Sequence, residues 1–373
     1  FEGMENICIE NITAHPSEAR TAFMVTADHN PKYSLDGGQT YNMMPRPPLE
    51  FNQPDSTAVV ASRFNPRLTL YGIKGPQGCS IIRATAYDTT PEVVLTLRAP
   101  LDTAPSELAF QSRAAGVSVQ ALAEDPHQQG SFYAYIDGIL AAGAGVYYSH
   151  DEGETWRRLT NPFPAHITRV PYDREWIENE LLSVVVAQTK NVCGTNQLLC
   201  IDPHQHDTLY LGEWTEGLYR SRDGGQSWQL ISLGLPFQRA HASVLNIIRA
   251  DPVRPGTLYA GFIREGLWRS QDYGDTWHKV FPLDNRNFTA TSVVVGGETG
   301  ALIVIASEPL THSPSSSAVL VSRDGGATWK DIYDVRMGAI RWKTVAISSN
   351  NQRLYAGSCG NSAFYYDLNE GRA

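Results

Sequence analysis

The chain has 373 residues, 42% apolar and 18% charged, with 31 Gly, 22 Pro, five Cys and a formal net charge of −9. That length buries a large core, which excludes intrinsic disorder and a disulfide-dense mini-fold, and the acidic balance without any run of Lys and Arg excludes nucleic acid as a partner. No stretch reaches the roughly 18 consecutive apolar residues of a membrane helix; the longest candidate, residues 138–148, is short and glycine-laden, so no membrane span is expected.

The chain opens at Phe1 on FEGMEN, with neither a starting Met nor a charged-then-apolar leader. We read it as a trimmed or mature chain whose signal peptide has been removed, which places it outside the cytoplasm, periplasmic or secreted. Among the cysteines, Cys193 and Cys200 are close in sequence and Cys8, Cys79 and Cys359 lie far apart, with no CxxC and no Cys/His zinc spacing. One or two disulfides and a buried thiol are expected, with no metal and no cofactor.

One pattern, Ser-x-Asp-x-Gly-x-Thr/Ser-Trp/Tyr, recurs five times: SLDGGQTY at 34–41, SHDEGETW at 149–156, SRDGGQSW at 221–228, SQDYGDTW at 270–277 and SRDGGATW at 322–329. Its aspartates, Asp36, Asp151, Asp223, Asp272 and Asp324, are 115, 72, 49 and 52 residues apart, which sets a unit of about 50 residues. The first step holds a skipped copy, degenerate around Asp88, and the second is one unit plus an insertion. Each box follows an apolar run, a turn and a short aromatic strand, and the turns read AHP at 14–16, FNP at 64–66, EDP at 124–126 and DPH at 202–204.

Short strands rich in Val, Ile, Tyr and Trp, punctuated by Gly and Pro at a fixed period, predict an all-β, seven-bladed β-propeller of four-stranded antiparallel blades. The blades are expected at about 5–48, 55–98, 117–160, 196–233, 243–282, 288–334 and 340–373, with an insertion at 160–196. The last unit leaves little room for a fourth strand. Either that blade is three-stranded, or residues beyond this stretch complete it, or a partner chain pairs with its open edge.

The residue types of the box are those of a turn. Gly accepts positive φ, the Asp carboxylate accepts nearby backbone N–H groups, and Ser and Thr hydroxyls close further local bonds. The terminal Trp is large enough to pack on the next blade, so Trp156, Trp228, Trp277 and Trp329 read as core. These strings are the Asp-box, or bacterial neuraminidase repeat, and the chain resembles the Asp-box β-propeller superfamily along nearly its whole length. That superfamily includes sialidases, xyloglucanase-type glycoside hydrolases, sortilin-like domains and photosystem assembly factors, so the resemblance implies a fold and leaves the activity open. A sialidase would bring an arginine triad, an early Arg-Ile-Pro and six blades. Here the nearest string is Arg169-Val170-Pro171, inside the insertion, and the count is seven, which disfavours that activity.

In such blades the strand 1–2 turns and the boxes share one face, and binding sites lie on the other, among the strand 2–3 loops and the interblade links. There the sequence places His29, Asp137, Glu213, Trp214, Glu216, Arg264, Glu265, Glu308 and His312, with Arg239, His241, Arg286, Arg336, Arg341 and Trp342 in the links. A glycoside hydrolase would draw a carboxylate pair from Glu213, Glu216, Glu265 and Glu308; Glu beside Arg, as at Arg264–Glu265, is otherwise ordinary surface. His204, His206 and Asp207 form a metal-like cluster on a turn that is plain and polar in the other units, so they read as turn residues. The sequons at Asn11 and Asn287 carry little information.

The insertion 160–196 departs most from the repeat. It is Pro-rich at first, then carries Tyr172, Arg174 and Trp176, with a short helix expected from Asp173. That composition suits a protein interface; a lid over its own propeller would also fit, and both can hold together. A second long link, 98–119, lacks the aromatics. The expectation is a non-catalytic recognition or scaffold module that binds a protein partner through 160–196 or the last blade edge. The binding candidates are Tyr172, Arg174, Trp176, Trp214, Arg264, Arg341 and Trp342. The alternative is a glycoside hydrolase or carbohydrate-binding propeller.

Overall fold

The structure, a computed structural model, describes residues 8–27, 29–48, 55–75, 78–98, 117–137, 143–160, 197–213, 217–238, 245–263, 265–281, 289–307, 317–332, 340–359 and 363–369. Seven antiparallel sheets follow one another along the chain, each built as a meander. Blade one holds β1 (Ile9–Ala14), β2 (Ala22–Thr26), β3 (Lys32–Ser34) and β4 (Asn42–Met43). Blade two holds β5 (Asp55–Ala61), β6 (Thr69–Gly75), β7 (Gly78–Ala84) and β8 (Glu92–Arg98). Blade three holds β9 (Ser118–Glu124), β10 (Phe132–Asp137), β11 (Gly145–Ser149) and β12 (Arg157–Arg158). Blade four holds β13 (Leu199–Ile201), β14 (Leu209–Glu213), β15 (Gly217–Ser221) and β16 (Gln229–Leu230). Blade five holds β17 (Leu245–Ala250), β18 (Leu258–Phe262), β19 (Gly266–Ser270) and β20 (His278–Phe281). Blade six holds β21 (Ala290–Gly296), β22 (Leu302–Ser307), β23 (Ala318–Ser322) and β24 (Lys330–Asp331), and blade seven β25 (Arg341–Ile347), β26 (Arg353–Cys359) and β27 (Ala363–Asp367).

The seventh blade is therefore three-stranded among the described residues, one of the alternatives left open by the sequence. A 3-10 turn at Pro236–Gln238 is the only helical element among the described residues. The short helix expected from Asp173 lies outside them, as do 161–196 and 99–116, nearly all of the two long links.

The first strands β1, β5, β9, β13, β17, β21 and β25 each pack on the next and β25 returns to β1, so they form the inner ring. The second strands carry the core: AFMVT of β2 and LYAGF of β18 are buried at every position, and Tyr71, Tyr210, Tyr259 and Tyr355 are fully enclosed. Hydrophobic clusters run from blade to blade rather than within one; Leu159 of blade three, Ile231 of blade four and Leu258 of blade five share a single cluster. Fourth strands are short and exposed in blades one, three, four and six, two residues each, which leaves little edge there for unwanted pairing; β8 of blade two is the long one, with seven residues.

Four of the five cysteines are described, and all are thiols. Cys79 and Cys200 are buried in the cores of blades two and four, in separate apolar clusters. Cys8 and Cys359 instead face each other across the junction of blades one and seven. Cys193 lies outside the described residues.

Candidate functional site

The box face is built by local bonds that repeat from blade to blade. In blade four, Asp223 Oδ1 accepts from Ser221 Oγ at 2.8 Å, Gln226 N at 3.0 Å and Ser227 N at 2.8 Å, while Oδ2 accepts from Ser227 Oγ at 2.5 Å. Ser221 Oγ in turn accepts from Gly225 N. The same Ser–Asp–Thr pattern closes on Asp36, Asp151, Asp272 and Asp324. The hydroxyl and N–H of Ser227 lead in holding the Asp223 carboxyl down at about 2. At Asp36 and Asp151, burial pushes the carboxyl up, yet the bonds from Thr40 and Ser34, and from Thr155 and Ser149, outweigh it and hold both at about 2.

The backbone after each Asp turns left-handed for two residues. Gly37, Gly224 and Gly325 take the first position, with Glu152 (φ 58°) and Tyr273 (φ 62°) in the other two boxes, and a Gly takes the second position in all five. The box tryptophans reach the neighbouring blade as expected: Trp277 Nε1 donates to Ile231 O at 3.1 Å, Trp228 Nε1 to Thr160 O at 3.2 Å, and Trp329 packs against Phe281. In blade two the turn around Asp88 stands in the box position between β7 and β8, with Ala84 where Ser would be; its Tyr87 packs on Phe23 and Tyr33 of blade one.

Strand 1–2 turns and boxes do share this face, since Gly37, Glu152, Gly224, Tyr273 and Gly325 each donate N–H to a carbonyl of the strand 1–2 turn in their own blade. Asp202 accepts N–H from His204 and Gln205, and Asp251 from Val253 and Arg254. His15 does the same work in blade one: Nδ1 accepts from Ser17 N and Glu18 N at 3.1 Å, which puts the ring proton on Nε2, 3.1 Å from Pro66 O of blade two. Burial lowers the His15 pKa, which favours that neutral form. His204 Nε2 lies 3.0 Å from Asp251 O of the next blade, so this residue of the metal-like cluster is engaged in a turn-to-turn contact; His206 pairs with Asp207 at 2.9 Å on the surface.

A set of interblade arginines completes this face and was not read from the sequence. Arg83 Nε donates to Glu152 O, Arg220 Nη1 to Tyr273 O, Arg269 Nη1 to Gly325 O and Arg353 Nη1 to Gly37 O, at 2.7–3.0 Å. Every acceptor is the residue after the box Asp in the following blade. Glu124 of blade three makes a further tie, accepting from Ser62 Oγ and, at 2.8 Å, from Arg63 N of blade two.

On the opposite face buried amides tie neighbouring first strands together. Gln197 Nε2 donates to Thr291 O at 3.3 Å, and Asn246 Nδ2 to Ala290 O and Thr291 O at 3.2 and 3.3 Å; both amide side chains are at most 3% exposed. These bonds join blades four, five and six at the starts of their first strands.

The candidates are spread around this second face. Glu265 sits in the strand 2–3 turn of blade five, its carboxylate 3.6 Å from Lys279 Nζ and its carbonyl accepting from Trp268 Nε1. His29 is exposed, with Nδ1 3.1 Å from Ala27 O, and Asp137 ends β10. Glu213 and Arg341 are placed by their backbone, as the last residue of β14 and the first of β25. Trp342 is 3% exposed and stacks edge-on against Phe364, 5.3 Å between centroids, so it packs the seventh blade and presents no binding surface. Trp214, Glu216, Arg264, Glu308, Tyr172, Arg174 and Trp176 lie outside the described residues, as do His312, Arg239, His241, Arg286 and Arg336.

The BNR/Asp-box repeat family matches residues 147–158 and 219–230, the boxes of blades three and four. No curated protein sequence matches the chain. Among solved structures, a GH74 enzyme of Niastella koreensis is similar over 98% of this chain and 53% of its own, at 16% identity and a TM-score of 0.64. YCF48 bound to D1 peptide is similar over 98% of this chain and 95% of its own, at 12% identity and 0.58, and YCF48 from Cyanidioschyzon merolae over 99% and 97%, at 12% and 0.58. The chain spans about half the length of the GH74 enzyme it matches. Repeats, topology and these likenesses agree on the fold: the chain is a seven-bladed β-propeller that carries Asp-box repeats.

Proposed function

We propose that this propeller is a non-catalytic recognition or scaffold module, working outside the cytoplasm as a subunit of a larger assembly. Its protein partner is engaged through the 160–196 insertion or the edge of the last blade. The observation that carries this reading is the end-to-end correspondence with YCF48, one of whose structures holds a peptide. Blade seven adds support, because among the described residues β27 is an edge strand where the other blades have a fourth, and an unaccompanied edge accepts an added strand. The described carboxylate candidate with a placed side chain, Glu265, is already neutralised by Lys279 on its own blade.

Affinity capture with the tagged chain, followed by analytical ultracentrifugation of the recovered assembly, tests this reading. A partner retained by the native chain and lost on Tyr172→Ala, Arg174→Ala and Trp176→Ala together is the expected result, with the chain recovered from the extracytoplasmic fraction. A monomer that turns over a glycan would sink it. The likeness to GH74 enzymes favours a second reading, a carbohydrate-active or carbohydrate-binding propeller using Glu213, Glu216, Glu265 or Glu308. Screening a glycan panel decides, and turnover that survives both Glu213→Gln and Glu308→Gln removes that site assignment.

A further inference from the structure

We propose that Cys8 and Cys359 form a disulfide that seals the propeller ring where the two ends of the chain meet. Successive blades are joined by interblade links except between the seventh and the first, and, among the described residues, no strand of blade one belongs to the sheet of blade seven. Several side-chain contacts cross it. Ile12 N donates to Thr344 Oγ1 at 3.2 Å, Lys343 Nζ lies 3.6 Å from Glu10 Oε2, and Arg353 donates to Gly37 O. Ile9, Met24, Ala346 and Tyr355 share one apolar cluster across the seam. The backbone itself touches at the antiparallel bridge between Cys8 and Cys359, and there the two Sγ atoms are 2.7 Å apart.

Directly opposed residues of an antiparallel pair are spaced about 4.5–5.5 Å between Cα atoms, inside the window of about 4.4–6.8 Å that a disulfide requires. Both cysteines are partly exposed, so an oxidant can reach them, whereas Cys79 and Cys200 are buried. Cys8 Sγ also donates to Glu10 Oε1 at 3.5 Å; its contact with the Cys359 thiol, burial and the Glu10 carboxylate push the Cys8 thiol up, and the Lys343 ammonium beside Glu10 offsets only part of that. With a small disulfide such as oxidised glutathione as oxidant, the thiolate of one cysteine attacks it, forming a mixed disulfide and expelling one thiol. The second cysteine then attacks the protein sulfur of that mixed disulfide, expelling the other thiol. Two electrons and two protons pass to the oxidant. The bridge would enclose nearly the whole chain, the longest loop it offers, and long loops gain most from closure.

The test is a peptide map of the full chain after oxidised glutathione and after reduction, with free thiols alkylated. Oxidation should join the tryptic peptide ending at Arg20 to peptide 354–372 and raise the thermal midpoint by about 5 °C. Cys8→Ser and Cys359→Ser should each abolish that shift, and Cys193→Ser should keep it. Free alkylation of both peptides after oxidation, a bridge from either one to Cys193, or a bridge that leaves the midpoint unchanged would overturn the proposal.

Discussion

Replacing Arg220 by Ala tests whether the interblade arginines hold the ring. Arg220 is 5% exposed; Nη1 bonds Tyr273 O at 2.8 Å and Asp275 Oδ1 at 3.0 Å, and Nη2 bonds Gln229 Oε1 at 3.0 Å. A bond from a charged donor is worth about 1.5–3 kcal/mol. The Asp275 pairing adds little, about 0.5 kcal/mol, because that carboxylate is 58% exposed and screened by water. Against these stands the buried Nε, which has no partner and whose removal relieves a penalty of about 1 kcal/mol. Two such bonds, with the Asp275 pairing added and the relieved penalty subtracted, give a net loss of about 2.5–5.5 kcal/mol, which for a chain of this length lowers the thermal midpoint by about 3–7 °C. Calorimetry of the variant beside Arg222→Ala, an exposed arginine two residues on, checks it. The control should stay within about 0.5 kcal/mol of the native chain. Equal effects of the two substitutions, or a shift below about 1 °C for Arg220→Ala, would refute the claim that these arginines clamp successive blades.

The two glycines of one box separate strain from crowding. At Gly224 (φ 67°) an added Cβ meets nothing nearer than 3.5 Å, so Gly224→Ala should cost about 1 kcal/mol of backbone strain. At Gly225 (φ 86°) the Cβ would lie 2.8 Å from Leu159 Cδ1 of blade three, so Gly225→Ala should cost about 3 kcal/mol, and denaturant titration should resolve the difference. The box carboxylates predict an acid limit. Asp36, Asp151 and Asp223 are held at about 2, below the unfolded value of 3.8, so their contribution is present above pH 4 and is lost as pH falls towards 2. The thermal midpoint of the native chain should therefore fall more steeply between pH 4 and pH 2 than that of Asp151→Asn combined with Asp223→Asn; parallel curves would count against it.

What the sequence disclosed was what a short window of chain determines. The boxes were legible because Asp, two left-handed positions and a hydroxyl all lie within about eight residues, and turn chemistry at that range depends on nothing else. The strand 1–2 turns were legible as Pro turns, yet the equivalence of His15 and Ser62 to the Asp of other blades was not, because three different side chains offer the same acceptor to the same two N–H groups. The interblade arginines escaped for another reason. Their partners are 53, 56 and 69 residues away in three cases and 316 in the fourth, and Tyr148 takes the place of the arginine in blade three, so no local string announces them. Trp342 looked like a binding residue because it stands in a link between blades; it falls instead one residue inside β25 and faces the core, a matter of strand register that alternation alone does not fix at a strand's first residues.

The two faces of the ring are therefore under different constraints. On the box face, carboxylates, turn carbonyls, arginines and imidazoles are bonded to one another within and between blades, and a ligand there would have to displace bonds that hold the ring together. Substitutions on that face should act on stability whatever the protein binds. On the opposite face, among the described residues, Gln197 and Asn246 tie the first strands of blades four, five and six together. In sequence, the strand 2–3 turns and interblade links differ from blade to blade where the boxes repeat. Substitutions in the segments that the repeat leaves unexplained therefore test the proposed recognition role, while those in the boxes test the ring.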